Sequence, residues 1–276
     1  MQLGVFAKTF ARDSLEANLD AVRDSGFICT QYNLACAGLS ALPDEIVPEL
    51  CQRIRAAHTD RGLTIASISG TFNIIHHDRE VLEVNFRRLG TVAQACALLG
   101  TNVITLCTGT RDRESMWRKH PDNNTVETWC DMVASMRRIA QIAEENQVIV
   151  GIEPEVNNVI DSAAKARRLI DELGSPRVKV VMDGANLFHA GQLARMHEVL
   201  DEAFEHVGRD IAIAHAKDLS RDGDAGQEAA GTGLLDYDYY LRLLKQSGFD
   251  GPLITHGLSE SQVPQCVEFL RGKLAL

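Results

Sequence analysis

The sequence predicts an α/β protein folded as a single (β/α)8 TIM barrel over residues 1–276. Eight short β-rich runs alternate with longer segments of helical periodicity. Successive runs begin about 24 to 46 residues apart, a spacing that suits βα units. No linker rich in Pro, Gly or Ser divides the chain into two units. A doubly wound open sheet is the competing architecture. A dinucleotide fold of that kind needs a phosphate turn after its first strand, and no GxGxxG stands there.

The elements follow in order. LGVF (3–6) is the first strand, and SLEANLDAVRDSG (14–26) is the first helical segment, with apolar residues every three or four positions. FICTQYN (27–33) leads to EIVPELCQRIRAAHTDRG (45–62), and LTIASISG (63–70) to EVLEVNFRRLGTVAQACALLG (80–100). NVITLC (102–107) leads to TVETWCDMVASMRRIAQIAEEN (125–146). VIVGIE (148–153), VKVVMD (178–183), IAIAH (211–215) and PLITH (252–256) complete the eight. Gly26, Gly62, Gly100 and Gly248 stand just before the next strand, where a left-handed C-cap ends a helix. The connection from Thr108 to about Asn124, TGTRDRESMWRKHPDNN, exceeds a turn and is read as a lid or substrate loop.

Composition narrows the setting. A chain of 276 residues that is 45% hydrophobic buries a large core. The net charge of −10 repels phosphate backbones, so no nucleic acid partner is expected. The N-terminal MQLGVFAKTFARD has no basic leader with a long apolar core, and no later stretch spans a bilayer. The expectation is a cytoplasmic protein with no membrane partner. Seven scattered cysteines form no CxxC pair and read as reduced thiols, mostly buried.

The chemistry concentrates where apolar strands end in polar residues, because the catalytic face of such a barrel lies at the strand C-termini. Strands five to eight end in Glu153, Asp183, His215 and His256. Alternation places Glu153 on the face of Ile149 and Gly151, Asp183 with Val181, His215 with Ile213 and His256 with Ile254. Two carboxylates and two imidazoles converging on one point suit one divalent metal ion: Mn, Co, Zn, Ni or Fe, with Mg also admissible. Each residue has a plainer reading as well. A strand-ending Asp is commonly the cap of the next turn, and a strand-ending His a hydrogen-bonded rim residue. A one-residue slip in register would turn any of them outward.

Further residues are candidates for holding substrate. Glu155 shares the face of Glu153, and Lys217 that of His215. Asn186 is read as a hydrogen-bonding partner of a hydroxyl or as a helix cap. In the long loop, Arg111, Trp117 and His120 form a candidate clamp, Arg for anionic oxygens and Trp as an apolar face for ring C–H groups. Lys8 and Phe10 have only their place after strand one in their favour.

GIEPEVNN (151–158), VVMDGANLF (180–188), IAHAKD (213–218) and GFDGPLITHGLSE (248–260) resemble the xylose isomerase-like barrel superfamily, in its sugar phosphate isomerase/epimerase branch. The resemblance runs over nearly the whole chain and extends to SGTFNIIHHD (69–78), where His76 resembles a position facing the site. It implies a metal set of Glu, Asp, His and Glu from strands five to eight, of which the first three fall on Glu153, Asp183 and His215. The fourth departs: His256 stands where the family places a glutamate, so the ligand set loses one negative charge. The two family glutamates also form an acid/base pair, a role that here falls to Glu153 and His256. An imidazole with an ordinary pKa of about 6.5 suits proton transfer, but a nitrogen bound to metal cannot also carry the proton. The endonuclease branch of the superfamily needs a histidine where this chain has Asn186, which argues for a single metal. The resemblance also implies a homo-oligomer, dimer or tetramer.

The expected function is a metal-dependent isomerase or epimerase acting on a sugar or sugar phosphate through an enediolate. A lyase or dehydratase on a keto-sugar or keto-glycoside is the alternative, since elimination needs no second-face carboxylate. A non-catalytic sugar-binding barrel is the remaining reading.

Overall fold

The structure, a computed structural model, describes residues 1–275. Eight parallel strands form the barrel: β1 Gln2–Phe6, β2 Cys29–Tyr32, β3 Thr64–Ser69, β4 Val103–Cys107, β5 Ile149–Glu153, β6 Val178–Asp183, β7 Ile211–Asp218 and β8 Pro252–Thr255. Neighbours in sequence pair from β1 to β6, β8 pairs with both β1 and β7, and β6 pairs with β7, which closes the ring. Closure excludes the open doubly wound sheet.

Helices α1 Leu15–Asp24, α2 Pro48–Thr59, α3 Arg79–Leu99, α4 Val126–Glu145, α5 Ala163–Leu173, α6 Met196–Val207, α7 Tyr237–Gln246 and α8 Val263–Leu274 separate and follow the strands. Their starts are set by short polar side chains. Ser14 accepts from the amide of Ala17, Asp78 from Glu80 and Val81, and Thr125 from Thr128. Where Pro48 occurs, the helix begins at the proline rather than at Glu45, because the ring's fixed φ suits the first helical position and disfavours helix before it. Gly26, Gly62, Gly100 and Gly248 all have φ between 66° and 83°, the left-handed conformation expected of them.

Two apolar layers result. A large outer core packs helices on the barrel, and a small inner one holds Cys29, Val103, Val181, Ile213 and Ile254, with Phe6, Ala66, Ile149 and Ala212 against it. Inward-facing Val181, Ile213, Ile254 and Ile149 fix the register read from the alternation, since the side chain two or four residues further on shares their face. The interior is tight. A β-carbon on Gly4 would come within 2.5 Å of Cys29 Sγ and 2.6 Å of Ile254 Cδ1, so only glycine fits there.

One feature departs from the sequence expectation. Strand β7 runs to Asp218 rather than ending at His215, because Lys217 and Asp218 pair antiparallel with a two-residue strand, Glu228–Ala229. The segment 219–236 thereby folds back over the barrel mouth. All seven cysteines are free: five are buried, Cys36 is half-buried and Cys130 exposed. Among the described residues no helix is long and apolar enough to cross a membrane.

Candidate active site

The ends of β5, β6 and β7 bring Glu153, Asp183 and His215 together, with one ligand atom of each within 4.8 Å of the others. Asp183 and His215 are register partners on adjacent strands, and Glu153 is the partner of Cys107 on β4. All three are buried.

His215 is oriented by its far nitrogen. Nε2 lies 2.9 Å from Gln31 Oε1, so it is the N–H that donates, and Nδ1 faces Glu153 Oε1 at 3.5 Å and Asp183 Oδ2 at 3.6 Å. A lone pair on Nδ1 opposite two carboxylates is repulsive unless a proton or a cation stands between them. Burial disfavours the protonated ring, but attraction from the nearby Glu153 and Asp183 carboxylates outweighs it and raises the His215 pKa to about 9. Burial also works against charge on Asp183, yet Lys217, with Nζ 3.3 Å from Oδ2, and His215 hold this carboxyl well below its ordinary range. Glu153 is lowered in the same way, burial being outweighed by His215.

Asp183 Oδ1 accepts the amide of Ala185 at 3.0 Å and caps the turn Gly184–Asn186, while Oδ2 has no hydrogen-bond partner. The cap and the candidate ligand are therefore the same residue, one oxygen each. His215 Nδ1 is likewise buried without a hydrogen bond. Buried polar atoms are normally paired. Two buried atoms without a hydrogen bond, Asp183 Oδ2 and His215 Nδ1, and Glu153 around one point, an O, O, N donor set, fit a divalent cation.

His256 stands just beyond β8, its ring stacked between Phe6 at 5.3 Å and His215 at 5.2 Å. It lies outside the group of three, and its Nδ1 is buried without a partner. The residue is half-buried in the cavity wall. Burial, with repulsion from Lys217 and His215, lowers its pKa to about 3, so the ring is neutral. The four-ligand arrangement expected from the strand ends is thus a group of three with a neutral imidazole beside it.

A cavity of about 580 Å³ covers this group. Glu153, Glu155, Lys217, His256 and Trp117 line it, as does Lys8. Burial, then Glu153, raises the Glu155 pKa to about 8. Five residues considered for the substrate are placed elsewhere. Asn186 is fully buried behind Glu153, donating from Nδ2 to Oε1 at 2.6 Å and accepting the amide of Gly226 at 3.1 Å. Arg111 is spent on Thr128 Oγ1 at 2.8 Å and on Asp131, fastening the long loop to α4. His120 caps the turn Pro121–Asn124, and His76 accepts the amide of Asp78 at 3.1 Å and stacks on His77. Phe10 is in the core.

Sequence reasoning missed Gln31, Cys107, Asn157, Asp224 and Gln227, all in the cavity wall. Gln31 and Cys107 follow from the alternation, since Gln31 shares the face of Cys29, and Cys107 that of Val103. Asp224 and Gln227 lie on the returning segment, where no periodicity signals direction.

The family profile for the xylose isomerase-like TIM barrel matches residues 19–272. A comparison with curated proteins found no match. Among solved structures, the apo form of 3-keto-D-glucoside 4-epimerase YcjR from E. coli is similar at TM-score 0.75 and 17% identity, over 99% of each chain. A D-tagatose 3-epimerase-like protein is similar at 0.77 and 16%, over 100% of this chain and 97% of that one. The IOLI protein with a binding zinc atom gives 0.72 and 16%, over 98% and 96%. At these identities the likeness is one of fold.

Proposed function

Because the chain belongs to the xylose isomerase-like TIM barrel family, we propose that it is a divalent-metal-dependent isomerase or epimerase of a sugar or sugar phosphate, acting through an enediolate. The observation that carries this reading is the buried group Glu153, Asp183 and His215, with Asp183 Oδ2 and His215 Nδ1 lacking hydrogen bonds, beneath a cavity of about 580 Å³. Sugar epimerases among the structural neighbours support it.

A divalent cation held by these three residues would supply Lewis acidity, polarising a substrate carbonyl and acidifying the adjacent C–H. The remaining work belongs to the chain. Asn186 fixes Oε1 of Glu153, leaving Oε2, 3.8 Å from the Cys107 thiol, to accept the substrate proton. His256 offers a neutral imidazole in the cavity wall as the second proton-handling group. Glu155 and Lys217 present a carboxyl and an ammonium to substrate oxygens, and Gln31 keeps His215 in the tautomer that points Nδ1 at the carboxylates.

A lyase reading is favoured by one observation. With His256 neutral where a glutamate would complete a carboxylate pair, proton return to the opposite face lacks a carboxylate, whereas expulsion of a β-leaving group does not need one.

The experiment is deuterium wash-in. Metal-loaded protein incubated with a panel of ketoses and keto-sugars in D2O should exchange a carbon-bound proton, and Glu153→Gln should slow that exchange by roughly 10²-fold or more. Deuterium at the neighbouring carbon marks an isomerase, at the same carbon with inversion an epimerase, and in an eliminated product a lyase. Failure to bind a divalent metal together with no exchange on any sugar would sink the enediolate reading.

A further inference from the structure

Beside the cavity over Glu153 lies a second, shallower pocket of about 610 Å³, and the two share Trp117, Asn157 and Asp224. The inner cavity alone lies within the range that encloses a small ligand. The outer pocket is therefore additional room that adjoins the first.

Trp117 stands at the junction with 49% of its surface exposed. The chain's other tryptophan shows how such a ring is normally used: Trp129 is 8% exposed, covered by the Arg168 guanidinium at 3.8 Å, and donates to Glu172 at 3.0 Å. Trp117 has neither cover, although the loop around it is fastened. Asp112 accepts the amides of Glu114 and Ser115, both at 2.9 Å, and the Trp117 amide donates to Ser115 Oγ at 3.3 Å. Asn123 ties the loop to the carbonyl of Asn157 at 3.0 Å. The indole is thus held out by a set loop.

Beside it, Asn157 Nδ2 donates to Asp224 Oδ1 at 2.7 Å. This leaves the Asn157 amide oxygen as an acceptor in the wall common to both pockets, beside an Asp224 carboxylate that also takes the amide of Ala225 at 2.9 Å. A flat apolar face flanked by acceptors matches a pyranose ring, whose C–H face stacks on indole while its hydroxyls donate. Of the cations at the outer rim, Arg118 is paired with Glu114 at 2.7 Å and Arg221 with Asp224 at 3.6 Å, while Lys119 is exposed, so a phosphorylated sugar is the competing occupant that the test must separate.

We propose that the outer pocket is a second glycosyl subsite, so that the substrate is a glycoside of at least two rings: one over Glu153, the other stacked on Trp117. This inference rests on the proposed function, because it takes the inner cavity as the place of the reacting sugar.

The test is titration of tryptophan emission, which Trp117 dominates as an environment reporter because Trp129 is buried. Cellobiose, maltose and sucrose would be compared with D-glucose, D-fructose and glucose 6-phosphate on metal-loaded protein. At least one disaccharide should shift the emission and bind about tenfold more tightly than either monosaccharide. Trp117→Ala, followed by calorimetry, should abolish that tenfold preference while metal affinity stays unchanged, and Trp117→Phe should restore most of it. Equal affinity for one and two rings, a preference that survives Trp117→Ala, a preference for glucose 6-phosphate, or no emission change with any sugar would each overturn the subsite. Metal binding and deuterium exchange on single-ring keto-sugars report the proposed function separately. If they persist while the disaccharide preference is absent, the subsite alone falls.

Discussion

Asp183 shows how a single side chain meets two demands that appear exclusive in the sequence. Its Oδ1 caps the turn Gly184–Asn186, and its Oδ2 faces His215 and Lys217. The capped turn carries Asn186, which in turn fixes Glu153, so two candidate ligands on different strands share one three-residue bracket. Asn186→Leu should lower the affinity for Zn²⁺ or Mn²⁺ about 10- to 100-fold with the far-UV spectrum unchanged, measured by chelator competition. A second residue-scale outcome concerns His58, buried on α2 with Nε2 at 3.1 Å from Thr30 Oγ1 and Nδ1 at 2.8 Å from the carbonyl of Ile54. Burial lowers its pKa to about 4, against about 6.5 in the unfolded chain. The native state therefore binds fewer protons between these values. The stability it contributes is present above pH 6.5 and is lost as pH falls toward 4. Between pH 7 and pH 5 the wild type should lose about 2 kcal/mol more than a His58→Leu variant, read from urea midpoints.

At the scale of elements, α7 holds the strand ends that form the site. The Tyr240 hydroxyl lies 2.9 Å from the carbonyl of Met182 and 3.1 Å from that of His215, and the Tyr237 hydroxyl donates to the carbonyl of Lys217 at 2.7 Å. Tyr240 thus spans β6 and β7 beside Asp183 and His215. Tyr240→Phe should cost about 1 to 2 kcal/mol in urea unfolding, because two buried carbonyls lose their shared donor. The strands, helices and their caps were legible because they repeat. Inward alternation in VKVVMD and IAIAH gave the register of Asp183 and His215, and glycines such as Gly100 marked helix ends. The loops were not, because a side chain's direction there depends on contacts distant in sequence. Arg111 looked like an anion clamp, yet Thr128 and Asp131 take its guanidinium. Asp224 reaches the cavity only because Lys217 and Asp218 pair with Ala229 and Glu228 and fold the segment back.

For the molecule as a whole, closure is the decisive property. The β6–β7 pairing and the double partnership of β8 leave the eight-stranded ring without a free edge. Removing residues 249–276, which include β8 and α8, should expose β1 and β7 along their lengths and strip one wall from the core. The truncated chain should elute as aggregate in size-exclusion chromatography and lack a cooperative thermal transition. The extension of β7 has a further consequence. The strand that carries His215 and Lys217 leaves the ring and is zipped to the segment bearing Asp224 and Gln227, so the segment and the ligand-bearing strand do not move independently. Occupancy of the two places is then thermodynamically linked. Whatever factor a bound sugar applies to cation affinity, the cation must apply to sugar affinity, and the two titrations, each done with and without the other ligand, should return one coupling constant.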